Sequence, residues 1–122
     1  MTYILFAEDD AASQQLIQDT LEAQGYRVRS VSNGIDALTM ALADKPGLVL
    51  LDVMMPGKNG LEVTRAIKEH YGEDAPPVIL ITALGSLDNI EQGRLAGADD
   101  YITKPFSPEV LSKKVVAALG EA

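Results

Sequence analysis

Leu48-Val49-Leu50-Leu51-Asp52-Val53-Met54-Met55-Pro56-Gly57 is the stretch that decides the fold. Its apolar opening is short and lacks polar alternation, as in a strand buried on both faces of a parallel sheet. The run ends in a carboxylate, and Pro56-Gly57 then turns the chain. A second apolar run, Tyr3-Ile4-Leu5-Phe6-Ala7, ends the same way, in Glu8-Asp9-Asp10. Carboxylates at the carboxyl ends of two such strands meet at one edge of the sheet, the edge where open α/β folds bind ligands. Like charges brought together repel unless a cation holds them. A hard divalent ion with oxygen ligands is the simplest solution.

Outward from these runs, strand and helix alternate. Ala11 to Gln24 carries Leu16, Ile17, Thr20 and Leu21 at helical spacing, with Asp10 where an N-cap belongs and Gly25 where the helix stops. Arg27 to Val31 is a strand, and Asn33-Gly34 signals a turn. Ile35 to Ala43 is a helix with Ala37, Leu38, Ala41 and Leu42 inward, and Pro46-Gly47 breaks it. Pro56 to Gly60 is a loop, Leu61 to His70 a helix, and Ala75-Pro76-Pro77 the end of a second loop. Val78 to Ile81 is a fourth strand closed by Thr82, Ser86 to Ala96 a helix stopped by Gly97, and Asp100 to Thr103 a short fifth strand. Ser107-Pro108-Glu109 opens a last helix that runs to about Leu119. Repeated βα units of this kind give a doubly wound parallel sheet with helices on both faces. Arg27 to Val31 is the most polar strand and suits an edge, so the flavodoxin-like order 2-1-3-4-5 follows.

At 122 residues the chain has room for one domain with one real core. It is 47% apolar and 23% charged, ordinary values for a globular protein. No apolar run reaches the roughly 20 residues that span a bilayer, and no basic, apolar leader precedes the first strand. The absence of cysteine excludes disulfides and thiolate metal sites and fits a reducing compartment, so a cytoplasmic location without membrane contact is expected. A net charge of −8 disfavours direct binding to nucleic acid.

The strand ends deliver a chemically coherent set: Glu8, Asp9 and Asp10 from the first, Asp52 from the third, Thr82 from the fourth, Lys104-Pro105 after the fifth. An ammonium and a hydroxyl beside a metal-bound carboxylate form a receptor for a tetrahedral dianion such as a phosphoryl group. Phosphoryl transfer needs mostly positioning and charge neutralisation, and a carboxylate such as Asp52 can itself accept the group as an aspartyl phosphate.

With Glu8-Asp9, Asp52 followed by Met55-Pro56-Gly57 and Gly60, Thr82-Ala83, and Gly97 through Phe106, the whole chain resembles a response-regulator receiver domain of two-component signalling. The stretch Gly97-Ala98-Asp99-Asp100-Tyr101-Ile102-Thr103-Lys104-Pro105-Phe106 is similar to receivers of the winged-helix transcription-factor branch. The resemblance implies that residues 1–122 form one receiver domain. It implies that Asp52 takes a phosphoryl group from a sensor histidine kinase or a phosphotransfer protein. Asp9 and Asp52 then bind Mg²⁺ directly, Glu8 binds it through water, and the Met54 backbone carbonyl is a further ligand. Lys104 pairs with the carboxylate before transfer and the phosphoryl group afterwards, and Thr82 bonds a phosphoryl oxygen beside the small Ala83. Tyr101 turns inward when Thr82 moves, and Lys104-Pro105 is a cis peptide. The surface of helix 4, strand 5 and helix 5 then controls a partner or output domain, a homodimer through that surface included. Apart from its own phosphoryl transfer and dephosphorylation, such a domain is not an enzyme.

Taken singly, these residues have plainer explanations. Asp10 caps a helix, Thr82 is a strand-end hydroxyl, Lys104 a solvated lysine, Tyr101 a half-buried strand aromatic, His70 a solvated helix end, and Met54-Met55 packing. Only the ordered set, each member at a strand end, outweighs them. Two departures stand out. Gly47 replaces an acid common after proline in receivers. Ile90 and Val110 stand where the branch's interlaced dimer has charged partners, a set in which Asp99, Asp100 and Lys114 could serve, so that apolar surface is open to another partner. A haloacid-dehalogenase phosphohydrolase is the enzymatic alternative, but it needs a second Asp where Met54 stands. A flavodoxin-like electron carrier would set Glu8-Asp9-Asp10 against its cofactor's phosphate. An unphosphorylated, receiver-like binding module is the third, and it usually lacks a site group. The sequence runs out after the fifth helix at Gly120-Glu121-Ala122, which leaves open a single-domain regulator or a receiver cut from a longer protein.

Overall fold

Alternation within the strands sorts the core into two layers. Ile4 and Phe6, Leu48 and Leu50, and Ile79 and Ile81 point to one face of the sheet, while Leu5 and Ala7, Val49 and Leu51, and Val78 and Leu80 point to the other. The computed structural model describes residues 2–83 and 87–120, with the side chains of 87–89 left aside. Its elements are β1 (Ile4–Ala7), α1 (Ala11–Ala23), β2 (Val28–Val31), α2 (Gly34–Ala43), β3 (Leu48–Asp52), α3 (Gly60–Tyr71), a 3₁₀ turn (Gly72–Asp74), β4 (Val78–Ala83), α4 (Leu87–Ala96), β5 (Asp100–Lys104) and α5 (Pro108–Leu119). The strands are parallel in the order β2-β1-β3-β4-β5. This is the expected flavodoxin-like arrangement. The expected helix start at Ser86 lies outside the described residues.

Each layer is closed by helices whose apolar stripes match it. Ile17 and Leu21 of α1 and Leu111 and Val115 of α5 cover the first face; Ala37 and Ala41 of α2 and Val63 and Ile67 of α3 cover the second. β2, at the edge, is only half-buried, and the central strand β3 is buried along its whole length. Burying one Leu or Ile side chain is worth about 1.5–3 kcal/mol, so these two layers dominate the folding free energy. Helix starts are set by caps. Asp10 accepts from the Ser13 N–H, Asn59 and Glu62 form a reciprocal capping box, and Ser107 caps α5 ahead of Pro108.

Two expectations on α2 need correction. Asn33-Gly34 is not a free turn: Asn33 caps α2 through the Asp36 N–H, and Gly34 is the first helical residue. Leu42 does not face the core; it is 38% exposed, and the inward stripe is Ala37 and Ala41 with Leu38 at its margin. Small residues inward let α2 approach the sheet closely, which rotates the bulkier Leu42 to the rim. Helix α3 begins at Gly60 rather than Leu61, because Asn59 caps it.

Gly34 also carries the loop that follows Asp52. Its N–H donates to the Pro56 carbonyl at 3.2 Å, and a Cβ on Gly34 would lie 1.7 Å from the Lys58 carbonyl oxygen. Gly60 is similarly confined, since a Cβ there would lie 2.5 Å from the Asp52 carbonyl oxygen. Backbone cannot give way as a flexible side-chain end can, so Gly34→Ala should destabilise the protein by about 1–3 kcal/mol or more. Urea denaturation measures this. A midpoint equal to that of the parent would mean that the 56–58 loop does not rest on α2.

Candidate functional site

Parallel register brings the polar strand ends to one edge. Asp52, the last residue of β3, lies opposite Ile81 of β4; Thr82 follows opposite Thr103, and Ala83 lies opposite Lys104 at the end of β5. Glu8 follows directly on β1, the strand paired to the other side of β3. With strands roughly 4.8 Å apart, Lys104 must cross β4 to reach β3. Ala83, its neighbour in register on β4, carries only a methyl group. The Lys104 Nζ lies 2.9 Å from Asp52 Oδ2 and 2.6 Å from Glu8 Oε1. The first contact is a hydrogen bond; the second is a charge contact outside hydrogen-bond angles. The Lys104–Pro105 peptide is cis.

Charges in this cluster tune one another. Glu8 is fully buried, and burial pushes its carboxyl up to about 7, with Asp52 adding to the rise and Lys104 opposing it. For Lys104, burial alone lowers the pKa, but its contacts with Glu8 and Asp52 outweigh burial and hold it above the ordinary value. The second Asp52 oxygen, Oδ1, accepts the Met54 N–H at 3.0 Å. The Met54 side chain itself is exposed beside the site. Both carboxylate oxygens of Asp52 therefore have partners, and its side chain is fixed.

Asp9 is exposed, and carboxylate oxygens of Glu8, Asp9 and Asp52 lie within 4.8 Å of one another. Three carboxylates against one ammonium leave an excess of negative charge, part of it buried. An oxygen-only donor set of this kind suits a hard divalent cation. Thr82 is 2% exposed, and its hydroxyl has no hydrogen-bond partner among the described residues. A buried hydroxyl left open at a cluster of charged groups is a polar group available to a ligand. Tyr101 of β5 is 41% exposed, its ring turned outward. A groove of about 350 Å³, lined by Ser13, Leu16, Ala83, Lys104, Pro105 and Phe106, opens beside the cluster between α1 and the end of β5.

Two features escape the sequence. Gln14 of α1 donates through Nε2 to the Glu8 carbonyl, tying the acidic loop to the helix after it. Asp99, Asp100 and Lys114 are paired within the chain: Lys68 bonds Asp99 at 2.8 Å and Lys114 bonds Asp100 at 2.9 Å. Nothing in the spacing of these residues signals the pairings, since each joins distant segments.

Residues 4–116 match the family described as response regulator receiver domain. The chain belongs to the response-regulator receiver family. It is 42% identical over 121 residues to the transcriptional regulatory protein ResD of Bacillus subtilis (strain 168), a match covering 99% of this chain and 49% of that protein. It is 41% identical over 116 residues to the phosphate regulon transcriptional regulatory protein PhoB of Pseudomonas aeruginosa, covering 95% of this chain and 51% of that one. The chain thus spans about half the length of these curated relatives, which are transcriptional regulators, as the likeness in residues 97–106 led one to expect. Among solved structures, a putative response regulator from Chloroflexus aurantiacus matches with a TM-score of 0.92 at 29% identity, covering 98% of each chain. The BeF₃-activated DrrB receiver domain matches with a TM-score of 0.86 at 36% identity, covering 99% of each. Receivers are signalling domains rather than a classical enzyme family, which sets the phosphohydrolase and electron-carrier alternatives aside. Among the described residues no helix is long and apolar enough to cross a membrane.

The acidic cluster generates a direct test. An ion that binds only the folded state stabilises it by mass action, by about 2.7 kcal/mol at a hundred times its Kd. Millimolar Mg²⁺ should raise the melting temperature of the parent. Asp9→Asn removes one of the mutually repelling charges, so the metal-free variant should melt higher than the parent while losing most of the Mg²⁺-induced rise. An equal rise in both proteins would take Asp9 out of the ligand set.

Proposed function

We propose that Asp52 accepts a phosphoryl group from the phosphohistidine of a sensor histidine kinase, or of a phosphotransfer protein, and that the chain is a single receiver domain acting in the cytoplasm. The observation that carries this reading is the position of the Lys104 ammonium, within ion-pair distance of both Asp52 and Glu8. Every group needed to hold a tetrahedral dianion on Asp52 is present. This disfavours the binding module that is never phosphorylated.

In the proposed step an Asp52 carboxylate oxygen attacks phosphorus in line with the histidine nitrogen. The P–N bond breaks, an acyl phosphate forms on Asp52, and the imidazole, its other ring nitrogen protonated beforehand, leaves neutral with the electron pair of the broken bond. Glu8, Asp9, Asp52 and the Met54 carbonyl are the groups assigned to Mg²⁺, with Glu8 acting through water. Bound there, Mg²⁺ supplies neutralisation of the phosphoryl oxygens. Lys104 exchanges its contact with the free carboxylate for one with the phosphoryl group. Thr82 offers its hydroxyl to another phosphoryl oxygen, and small Ala83 leaves room for both. The groove between α1 and the end of β5, lined in part by Lys104, offers an approach for the donor protein's side chains. Once phosphorylated, Asp52 draws Thr82 toward it, and Tyr101 turns inward behind it. The surface of α4, β5 and α5 that results controls a partner or output domain. Because Asp99, Asp100 and Lys114 are paired within the chain, a homodimer through this surface would have to break those pairs. A partner meeting half-buried Ile90 and exposed Tyr101 and Val110 by apolar contact would not.

Two outcomes follow from this reading. With Mg²⁺ and acetyl phosphate, intact-mass spectrometry should show the gain of one phosphate, stable in acid and released by alkali or hydroxylamine. Asp52→Asn should abolish it, because an amide is a poor nucleophile; full labelling of that variant would exclude Asp52. Beryllofluoride with Mg²⁺ should turn Tyr101 inward in a crystal structure. Thr82→Ala should weaken that response while Mg²⁺ binding stays close to the parent value. A Tyr101 rotamer unchanged by beryllofluoride would mean that the domain signals by another route.

A further inference from the structure

Lys114 lies on α5, the helix that covers one face of the sheet, yet its Nζ is 5.5 Å from the centre of the Tyr101 ring. Tyr101 neighbours Leu80 in register, and Leu80 belongs to the opposite layer of the core. The lysine therefore reaches round the β5 edge of the sheet to a ring that stands outward from it. One carboxylate fixes both partners. Asp100 Oδ1 accepts the Tyr101 backbone N–H at 2.8 Å and the Lys114 Nζ at 2.9 Å. Backbone and ring of the same tyrosine are thus held by one ion pair.

The ring also has somewhere else to go. A groove of about 180 Å³ between α4 and β5 is lined by Ile90, Gly93, Ala98 and Tyr101 itself. Arg94 borders the same groove, but its guanidinium is engaged with Glu91 at 2.6 Å on the outer side of α4. Lys114 is the cation placed to favour the outward ring.

We propose that Lys114 is a positioning residue that holds Tyr101 in its outward rotamer and so sets the resting population of the switch, a role resting on the assignment of Tyr101 as the switch residue. An inward turn removes the ring from Nζ and leaves the Asp100 pair intact. The two states then differ by one cation–π contact. At an exposed position such a contact shifts a two-state equilibrium by roughly twofold to fivefold. Lys114 is thus a brake that keeps the unphosphorylated domain from presenting its active surface.

NMR of protein with ¹³C-labelled tyrosine rings reads this directly, with the Tyr101 signal assigned from Tyr101→Phe. In the absence of any phosphoryl mimic, Lys114→Met should move the Tyr101 ring signal part-way toward its position in the beryllofluoride-bound parent, by roughly a twofold to fivefold change in inward population. Lys114→Arg, which keeps a cation in place, should stay near the parent. If beryllofluoride moves the parent signal but Lys114→Met leaves it at the resting position, the brake is overturned and the switch stands. If beryllofluoride leaves the parent signal unmoved, the switch assignment fails and the brake fails with it.

Discussion

The contact on which the site depends is the Lys104 ammonium lodged between Asp52 and Glu8. Two carboxylates on neighbouring strands, one of them wholly buried, cannot both stay charged there unless a cation is supplied. The chain supplies one from β5, across the intervening strand β4. Removing one partner of a buried pair typically costs about 3–5 kcal/mol, unless the orphaned group takes up a proton. Glu8, pushed up to about 7, is placed to do the latter. The cluster is poised rather than satisfied. It lacks positive charge, it leaves a buried Thr82 hydroxyl without a partner among the described residues, and it is open to solvent through Asp9. A folded domain tolerates such a site because two well-packed layers elsewhere carry its stability.

The same constraint explains what surrounds the cluster. Gln14 ties down the loop bearing Glu8 and Asp9; the Met54 N–H fixes the free oxygen of Asp52; Gly34 and Gly60 let backbone close in on the loop after β3. Gln14, Gly34, Gly60 and the Met54 N–H take no part in the chemistry. They restrict the motion of groups that must meet a tetrahedral dianion in one geometry, and positioning is most of what phosphoryl transfer requires.

On the far edge, β5 runs between the charged cluster and the surface. Lys104 ends the strand and Tyr101 stands three residues earlier on it. Asp99 and Asp100, which by sequence suit a charged interface, are held by Lys68 and Lys114 of the same chain. An ion pair within the chain forms without the loss of translational freedom that association entails, so it prevails unless the partner's surface offers more.

The sequence by itself determined the fold class and which polar groups stand at the strand ends. Short apolar runs ending in Asp52 and in Glu8-Asp9 had to be parallel strands, and parallel strands must deliver their carboxyl ends to one edge. That periodicity is local and strong, so the two core layers, the caps at Asp10 and Ser107, and the meeting of Lys104 with Asp52 were legible. The start of α2 was not, because Asn33-Gly34 suits a turn and a cap equally well. Leu42 was misplaced because helical spacing cannot tell which side of a mostly apolar helix will win the core. Only the tertiary structure decided who pairs with whom: Glu8 with Lys104, Asp99 with Lys68, and Lys114 with Asp100 and the Tyr101 ring. Long charged side chains choose among partners within reach, and reach is set by strand order and helix packing rather than by distance along the chain.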